Sequence, residues 1–169
     1  MIVYSYHPMQ RLRHRFREMI DITGGRDPDE YRGRLRHMMQ MGLHCWIAED
    51  ACRIVGSIGF MTEQGETGWS RNPDMRAAAE AKGIDPDTVQ VRSLIYVHPD
   101  YRGRGIAHEL EKRANATSRA LGFRYRAAFA YDNELIYRWI HRHGNAIPLD
   151  MPDPTGTGFP ATVVPIDKP

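Results

Sequence analysis

Arg102, Gly103, Arg104 and Gly105 carry the clearest chemistry in this chain, because they stand between an apolar run and a helical pattern. The run is Val91 to Val97, and a Pro99-Asp100 turn separates it from the glycines. A strand–loop–helix order of this kind suits a backbone cradle for phosphate. Glycine allows positive φ and close approach of the main chain to a ligand. The unpaired N–H groups of the following helix point into the loop, and the helix dipole favours negative charge there. The two arginines add charge and forked donors matched to phosphate oxygens. The spacing is not that of the common nucleotide loops. No Gly-x-x-x-x-Gly-Lys-Ser/Thr occurs, and Gly103-x-Gly105 lacks the third glycine of the dinucleotide fingerprint.

Arg102-x-x-Gly105-x-Ala107 instead resembles motif A of the GCN5-related N-acetyltransferase (GNAT) superfamily, Gln/Arg-x-x-Gly-x-Gly/Ala, which binds the pyrophosphate of acetyl-CoA. The surrounding Tyr-Val-His-Pro-Asp-Tyr-Arg-Gly-Arg-Gly-Ile-Ala (residues 96–107) is similar to the family's usual strand-four ending and loop, and the resemblance is clearest over residues 91–145. It implies an α/β (α+β) fold: a mixed, mostly antiparallel central sheet flanked by helices, with coenzyme A wedged between splayed fourth and fifth strands. It further implies that main-chain groups of Ile95, Tyr96 and Val97 orient the pantetheine arm. Residues Arg102, Gly103, Arg104, Gly105, Ile106 and Ala107 would hold the pyrophosphate.

A second family element, Val-x-x-x-Asn…Gly, is matched by Phe129-x-x-x-Asn133 with Gly144 eleven residues on. The resemblance makes Asn133 a contact of the pantetheine, while a plain helix cap explains it equally simply. The family's catalytic tyrosine falls seven residues beyond this asparagine, where Ile140 stands here. Tyr137, three residues earlier on a similar helix face, is the candidate general acid for the coenzyme A thiolate; packing in the core is its other reading. The glutamate that some members place on strand five is Ala128 here, and the aromatic after the second motif's glycine is Asn145. Glu63, Ser93, His98 and Tyr131 remain as candidate bases, since N-acyl transfer needs a neutral amine.

The elements that must position these groups follow from periodicity. Ile2 to Tyr6 reads as a short strand, Pro8 to Ile22 as a helix with Leu12, Phe16, Met19 and Ile20 on one face, and Asp29 to Met41 as a second helix. A hairpin is expected from Cys45 to Glu49 and Arg53 to Met61 about a turn at Asp50-Ala51. That turn would set Cys45 opposite Gly56 and Cys52 opposite Glu49, too far apart for a disulfide. Residues 62–90 are an insertion relative to the tight turn usual in the family. They hold a loop and an alanine-rich helix over Met75 to Lys82, capped by Asp74 and stopped by Gly83. Such a segment would cover the acceptor pocket or form a surface or dimer element. A helix from Ile106 to Leu121, a strand from Phe123 to Ala130, a further helix after Asp132 or Asn133, a Pro/Gly-rich loop from Pro148 to Pro160 and a last strand from Phe159 to Ile166 complete the pattern.

Composition bounds the partners. The chain has 169 residues, 41% hydrophobic and 26% charged, with net charge +2, which fits one soluble domain. So modest a charge gives no reason to expect nucleic acid. Arg11, Arg13, Arg15 and Arg17 alternate around their helix and read as a solvated surface. No apolar run approaches the ~20 residues of a membrane span, and no signal-peptide pattern is visible. Two cysteines make no framework, so a cytoplasmic protein with reduced thiols is expected. His141 and His143 fall on different helix faces and give no metal site. The expectation is an acyl-CoA-dependent N-acetyltransferase using acetyl-CoA as co-substrate, without a metal, acting by direct transfer to an unidentified amine. A homodimer stays open. Three rivals remain: a coenzyme A-binding module without turnover, an RNA-directed enzyme acting on aminoacyl-tRNA, and a loop for another phosphate ligand.

Overall fold

Alternation along one strand sets up the first half of the architecture. In β2 (His44–Asp50) Cys45 and Ile47 belong to one apolar cluster, while Trp46 and Ala48 belong to another, as a period of two requires of a strand covered on both faces. The computed structural model describes residues 1–23, 27–63, 71–128, 145–152 and 160–166. It divides into two units, Met1–Thr62 with Ser93–Thr117, and Glu63–Arg92 with Ser118–Pro169.

In the first unit the strand order is β1 (Val3–Pro8), β2, β3 (Arg53–Phe60) and the latter part of β4 (Val89–Val97). β1 and β2 are antiparallel from Val3↔Glu49 to Pro8↔His44, and β2 and β3 are antiparallel from His44↔Phe60 to Asp50↔Arg53. One face carries Met9, Leu12, Met19, Leu35 and Ile54, from the N-terminal helical segments and the strands. The other carries Val55, Ile58 and Phe60 with Ile106, Leu110 and Ala114 of the helix α4 (Ile106–Ala120).

The expected single helix from Pro8 is a 3-10 segment, Met9–Arg15, followed by α1 (Phe16–Asp21). The break falls at Arg15 (φ −108°, ψ 11°), whose guanidinium reaches Glu18 Oε2 at 2.7 Å, Glu49 Oε1 at 2.5 Å and the Cys52 carbonyl at 2.8 Å. The apolar stripe is nonetheless the one expected: Leu12, Phe16, Met19 and Ile20 are buried. α2 (Pro28–Gln40) starts under the Asp27 carboxylate, which accepts from the Asp29 and Glu30 amides. It ends in a Schellman closure, with Gly42 N–H bonded to Met39 O and Leu43 N–H to Met38 O.

The hairpin turn is Ala51-Cys52 (φ 47° and 66°), not Asp50-Ala51. Asp50 therefore pairs Arg53, and the shifted turn together with a bulge at Ala48/Glu49 brings Cys45 opposite Gly59 rather than Gly56. Cys52 sits in the turn instead of facing Glu49, and both thiols are free, Cys45 buried and Cys52 exposed.

In the second unit the start of β4 runs parallel to β5 (Tyr125–Ala128) from Val89↔Tyr125 to Val91↔Ala127. β7 (Pro160–Pro165) pairs antiparallel with β5 and with the edge strand β6 (Ile147–Pro152). α3 (Pro73–Glu80) buries Met75 and Ala79 among Val89, Ala127, Leu149 and Val163. Its cap is Asn72, whose side chain accepts from Asp74 N and Met75 N, and not Asp74. Gly83 follows the helix at φ 71°. Of the loop expected from Pro148 to Pro160, residues 148–152 belong to β6, and residues 153–159 lie outside the described residues. An edge strand tolerates Pro148 and Pro152 because its outer amides need no partner. The seven described strands make a mixed, mostly antiparallel sheet.

Candidate active site

β4 leads to the phosphate-type loop, and its middle is irregular. Leu94 has φ 55°, a left-handed conformation that costs a branched side chain about 1–2 kcal/mol. Two contacts hold it: Ser57 Oγ donates to the Leu94 carbonyl at 2.7 Å, and the Leu94 side chain packs against the bare Cα of Gly59, where an added Cβ would stand 3.1 Å from Leu94 Cδ1. The kink turns the flanking side chains to new directions. Ser93 Oγ rests 3.8 Å from Met38 Sδ, Leu94 enters the core, and Ile95 is turned out, 40% exposed. Tyr96 is half-buried, edge-on to Tyr31 at 5.6 Å. Ile95, Tyr96 and Val97 form the C-terminal end of β4, where Ile95 presents an exposed apolar side chain.

The turn after β4 is tied to its neighbours. His98 N–H bonds the Val55 carbonyl at 2.9 Å, and Tyr101 N–H closes on His98 O. The His98 ring has Arg53 Nη2 3.2 Å from Nε2 and the Asp100 amide 3.3 Å from Nδ1. A neutral imidazole has one acceptor nitrogen, so the two donors compete for it. This engages His98, a candidate base from sequence, in holding the turn. Of the other candidates, Ser93 Oγ faces Met38 Sδ at 3.8 Å, Glu63 is exposed, and Tyr131 lies outside the described residues.

Gly103 and Gly105 both have φ 76°. A Cβ at either would meet nothing within 4 Å, so the space beside both glycines is open. Arg102 and Arg104 are exposed. Arg102 Nε donates to Val97 O at 3.2 Å and Arg104 Nη2 to Asp100 O at 2.9 Å. α4 begins with Glu109 N–H bonded to Gly105 O at 3.0 Å, which leaves the amides of Gly105, Ile106, Ala107 and His108 without intrahelical partners. Ile106 and Leu110 anchor this helix on β3, where Gly56 lets it approach: a Cβ there would stand 3.1 Å from Ile106 Cγ2. Left-handed glycines, open space, a helix head and two exposed guanidiniums fit a diphosphate group such as that of coenzyme A.

A family model for the acetyltransferase (GNAT) domain matches residues 42–144, more than half of the chain. The protein belongs to the GNAT acetyltransferase family. Solved GNAT structures share its fold at low identity. A GNAT-family acetyltransferase from Staphylococcus aureus Mu50 superposes with TM-score 0.64 at 12% identity, covering 99% of this chain and 100% of that one. A GCN5-related N-acetyltransferase from Ralstonia eutropha JMP134 gives 0.59 at 23% identity, covering 91% and 98%. The PaiA N-acetyltransferase of Thermoplasma acidophilum, solved with coenzyme A, gives 0.61 at 9% identity, covering 98% and 99%. No curated protein matches the chain in sequence.

Asn133 and Tyr137 of the GNAT reading lie outside the described residues, as do Phe129, Ile140 and Gly144. Gly56, Ser57, Gly59 and Leu94 were not singled out from sequence as parts of this site. Glycines inside a strand signal close approach, so Gly56 and Gly59 offered a clue, whereas nothing marks Leu94 as left-handed. Among the described residues no group of three or more His, Cys, Asp or Glu is gathered for a metal, and no helix is long and apolar enough to cross a membrane.

Proposed function

We propose that the protein is an N-acetyltransferase that uses acetyl-CoA and transfers its acetyl group directly to an amine. The observation that carries this reading is the pair of left-handed glycines beside the head of α4, whose first amides have no intrahelical partner. Family membership and a related fold solved with coenzyme A support it, as does a putative acetyltransferase from Salmonella typhimurium solved with acetyl-CoA (TM-score 0.54, 14% identity).

Coenzyme A would supply the acyl group as a thioester, activated toward a neutral amine. Amides of Gly103 to Ala107 would hold the diphosphate, with Arg102 and Arg104 balancing its charge. Main-chain groups of Ile95, Tyr96 and Val97 would orient the pantetheine arm, and the exposed Ile95 side chain gives it an apolar surface. Asn133 is assigned to the same arm. Tyr137 Oη is assigned the proton needed by the departing sulfur. In this reading residues 62–90 are an insertion in a single acetyltransferase domain, of which α3 serves as core cover, and the protein works in the cytoplasm.

The test is turnover. Purified protein incubated with acetyl-CoA and a panel of small amines, amino acids and N-terminal peptides should release coenzyme A, monitored by chromatography, faster with at least one acceptor than with none. Tyr137→Phe should lower kcat for that acceptor about 10²-fold or more while coenzyme A affinity stays within twofold. No acceptor-dependent release across the panel would contradict the enzymatic reading.

A further inference from the structure

The tip of the β2–β3 hairpin, far from the loop in sequence, meets it in space. Tyr101 hydroxyl donates to Asp50 Oδ2 at 3.1 Å, and the other Asp50 oxygen takes the Met1 amino group at 3.2 Å. The Tyr101 ring packs with the α4-side core cluster and carries the Arg104 guanidinium over its face, 4.8 Å from the centroid. Arg104 is fixed a second time by Asp100 O at 2.9 Å. A residue away from the hairpin turn, Arg53 reaches the His98 ring that stands edge-on to Tyr101 at 5.9 Å.

Left to itself, an exposed arginine loses rotamer freedom when it grips a phosphate. Here two contacts have already restricted it before any ligand arrives. The ring is held in place in turn by the carboxylate. Resting on the coenzyme A reading, we propose that Asp50 and Tyr101 are positioning residues: the hydrogen-bonded tyrosine presents Arg104, pre-organised, to the phosphates of the coenzyme. Asp50 acts through its capacity to accept a hydrogen bond. Its negative charge by itself would oppose an anionic ligand, so the amide should serve as well.

The experiment is calorimetric titration of coenzyme A into the full-length protein and five variants. Arg104→Ala should weaken the Kd about tenfold or more, the loss expected for a charge-assisted bond to phosphate. Asp50→Ala and Tyr101→Phe should each weaken it about three- to fivefold. Tyr101→Phe keeps the ring and its packing, so a loss there cannot come from a damaged core. Asp50→Asn should bind within twofold of the unmodified protein, and Asp50→Ala should cost nothing further in an Arg104→Ala background. Three results would overturn the proposal: Asp50→Ala binding as tightly as the unmodified protein, Asp50→Asn failing to rescue, or the Asp50→Ala loss persisting undiminished without Arg104. If the unmodified protein itself fails to bind coenzyme A, the coenzyme reading falls and the proposal with it. Binding by the unmodified protein with indifferent Asp50 variants overturns the positioning role alone.

Discussion

Gly56→Ala tests how tightly the loop's helix is pressed on the sheet. A Cβ built on Gly56 stands 3.1 Å from Ile106 Cγ2, 3.2 Å from Leu110 Cδ1 and 3.3 Å from the Tyr96 carbonyl oxygen. Carbon atoms in good contact sit about 3.5–4.0 Å apart, so α4 and β3 must separate by several tenths of an ångström. The neighbours have little room to give. Ile106 and Leu110 are 2% and 1% exposed, and the third atom is backbone. Overpacking of this kind costs about 1–3 kcal/mol, which for a chain of this size is a fall of about 3–10 °C in Tm. Because Ile106 is the first residue of α4, the displaced helix head should also weaken coenzyme A binding. Gly33→Ala is the internal control. It lies inside α2, and a Cβ there meets nothing within 4 Å, so it should raise stability by about 0.5–1 kcal/mol. Calorimetric unfolding of both variants decides the matter. An unchanged Tm for Gly56→Ala, or equal losses in the two variants, would refute the close-packing argument.

Three other outcomes are expected from the same geometry. The Arg15 hydrogen bonds and the Ile54 amide hold the Glu18 carboxyl below its usual range against some opposing desolvation, so its contribution is present above the unfolded value of about 4.3 and lost as pH falls through the lower folded one. Unfolding free energies from urea titrations at pH 6 to pH 3 should therefore fall more for the unmodified protein than for Glu18→Gln, by at most about 1 kcal/mol for a partly exposed pair; parallel curves would contradict this. Burial pushes the Cys45 thiol up to about 12, with Met9 Sδ 3.8 Å away, whereas Cys52 is exposed. Iodoacetamide at pH 8 should label one thiol in the native protein, Cys52, and two after unfolding; rapid native labelling of Cys45 would argue against its burial. Ser57→Ala removes the donor to Leu94 O and should cost about 0.5–1.5 kcal/mol, the net worth of one hydrogen bond, measured by urea unfolding; no measurable change would show that the kink in β4 holds itself.

The loop and its helix were legible because everything that makes them is local. Two glycines, two arginines and an apolar face at helical spacing fall within about twenty consecutive residues, and the structure gives both glycines positive φ. Helix stops were legible for the same reason, at Gly42, Gly83 and Gly122. What escaped depends on partners distant in sequence. Arg15 interrupts its helix to serve Glu49, 34 residues away, and Asp50 meets Tyr101 across 51 residues. The hairpin turn sits one residue later than its sequence suggests, and the bulge at Ala48/Glu49 then carries Cys45 to Gly59. β6 was hidden by its prolines, whose cost vanishes only because the strand lies at an edge. The left-handed Leu94 has no local signature; Ser57 and Gly59, on the neighbouring strand, hold it there.

The measurement that bears most directly on the whole account is isothermal titration of coenzyme A into the unmodified protein and into Gly105→Glu, with the unfolding of both recorded alongside. The Glu side chain would place a carboxylate in the open side of the loop, at φ 76°. Saturable binding to the unmodified protein, abolished in a variant that still unfolds cooperatively, is the result expected. Undiminished affinity in Gly105→Glu, or no binding to either protein, would contradict the claim that this loop holds the coenzyme.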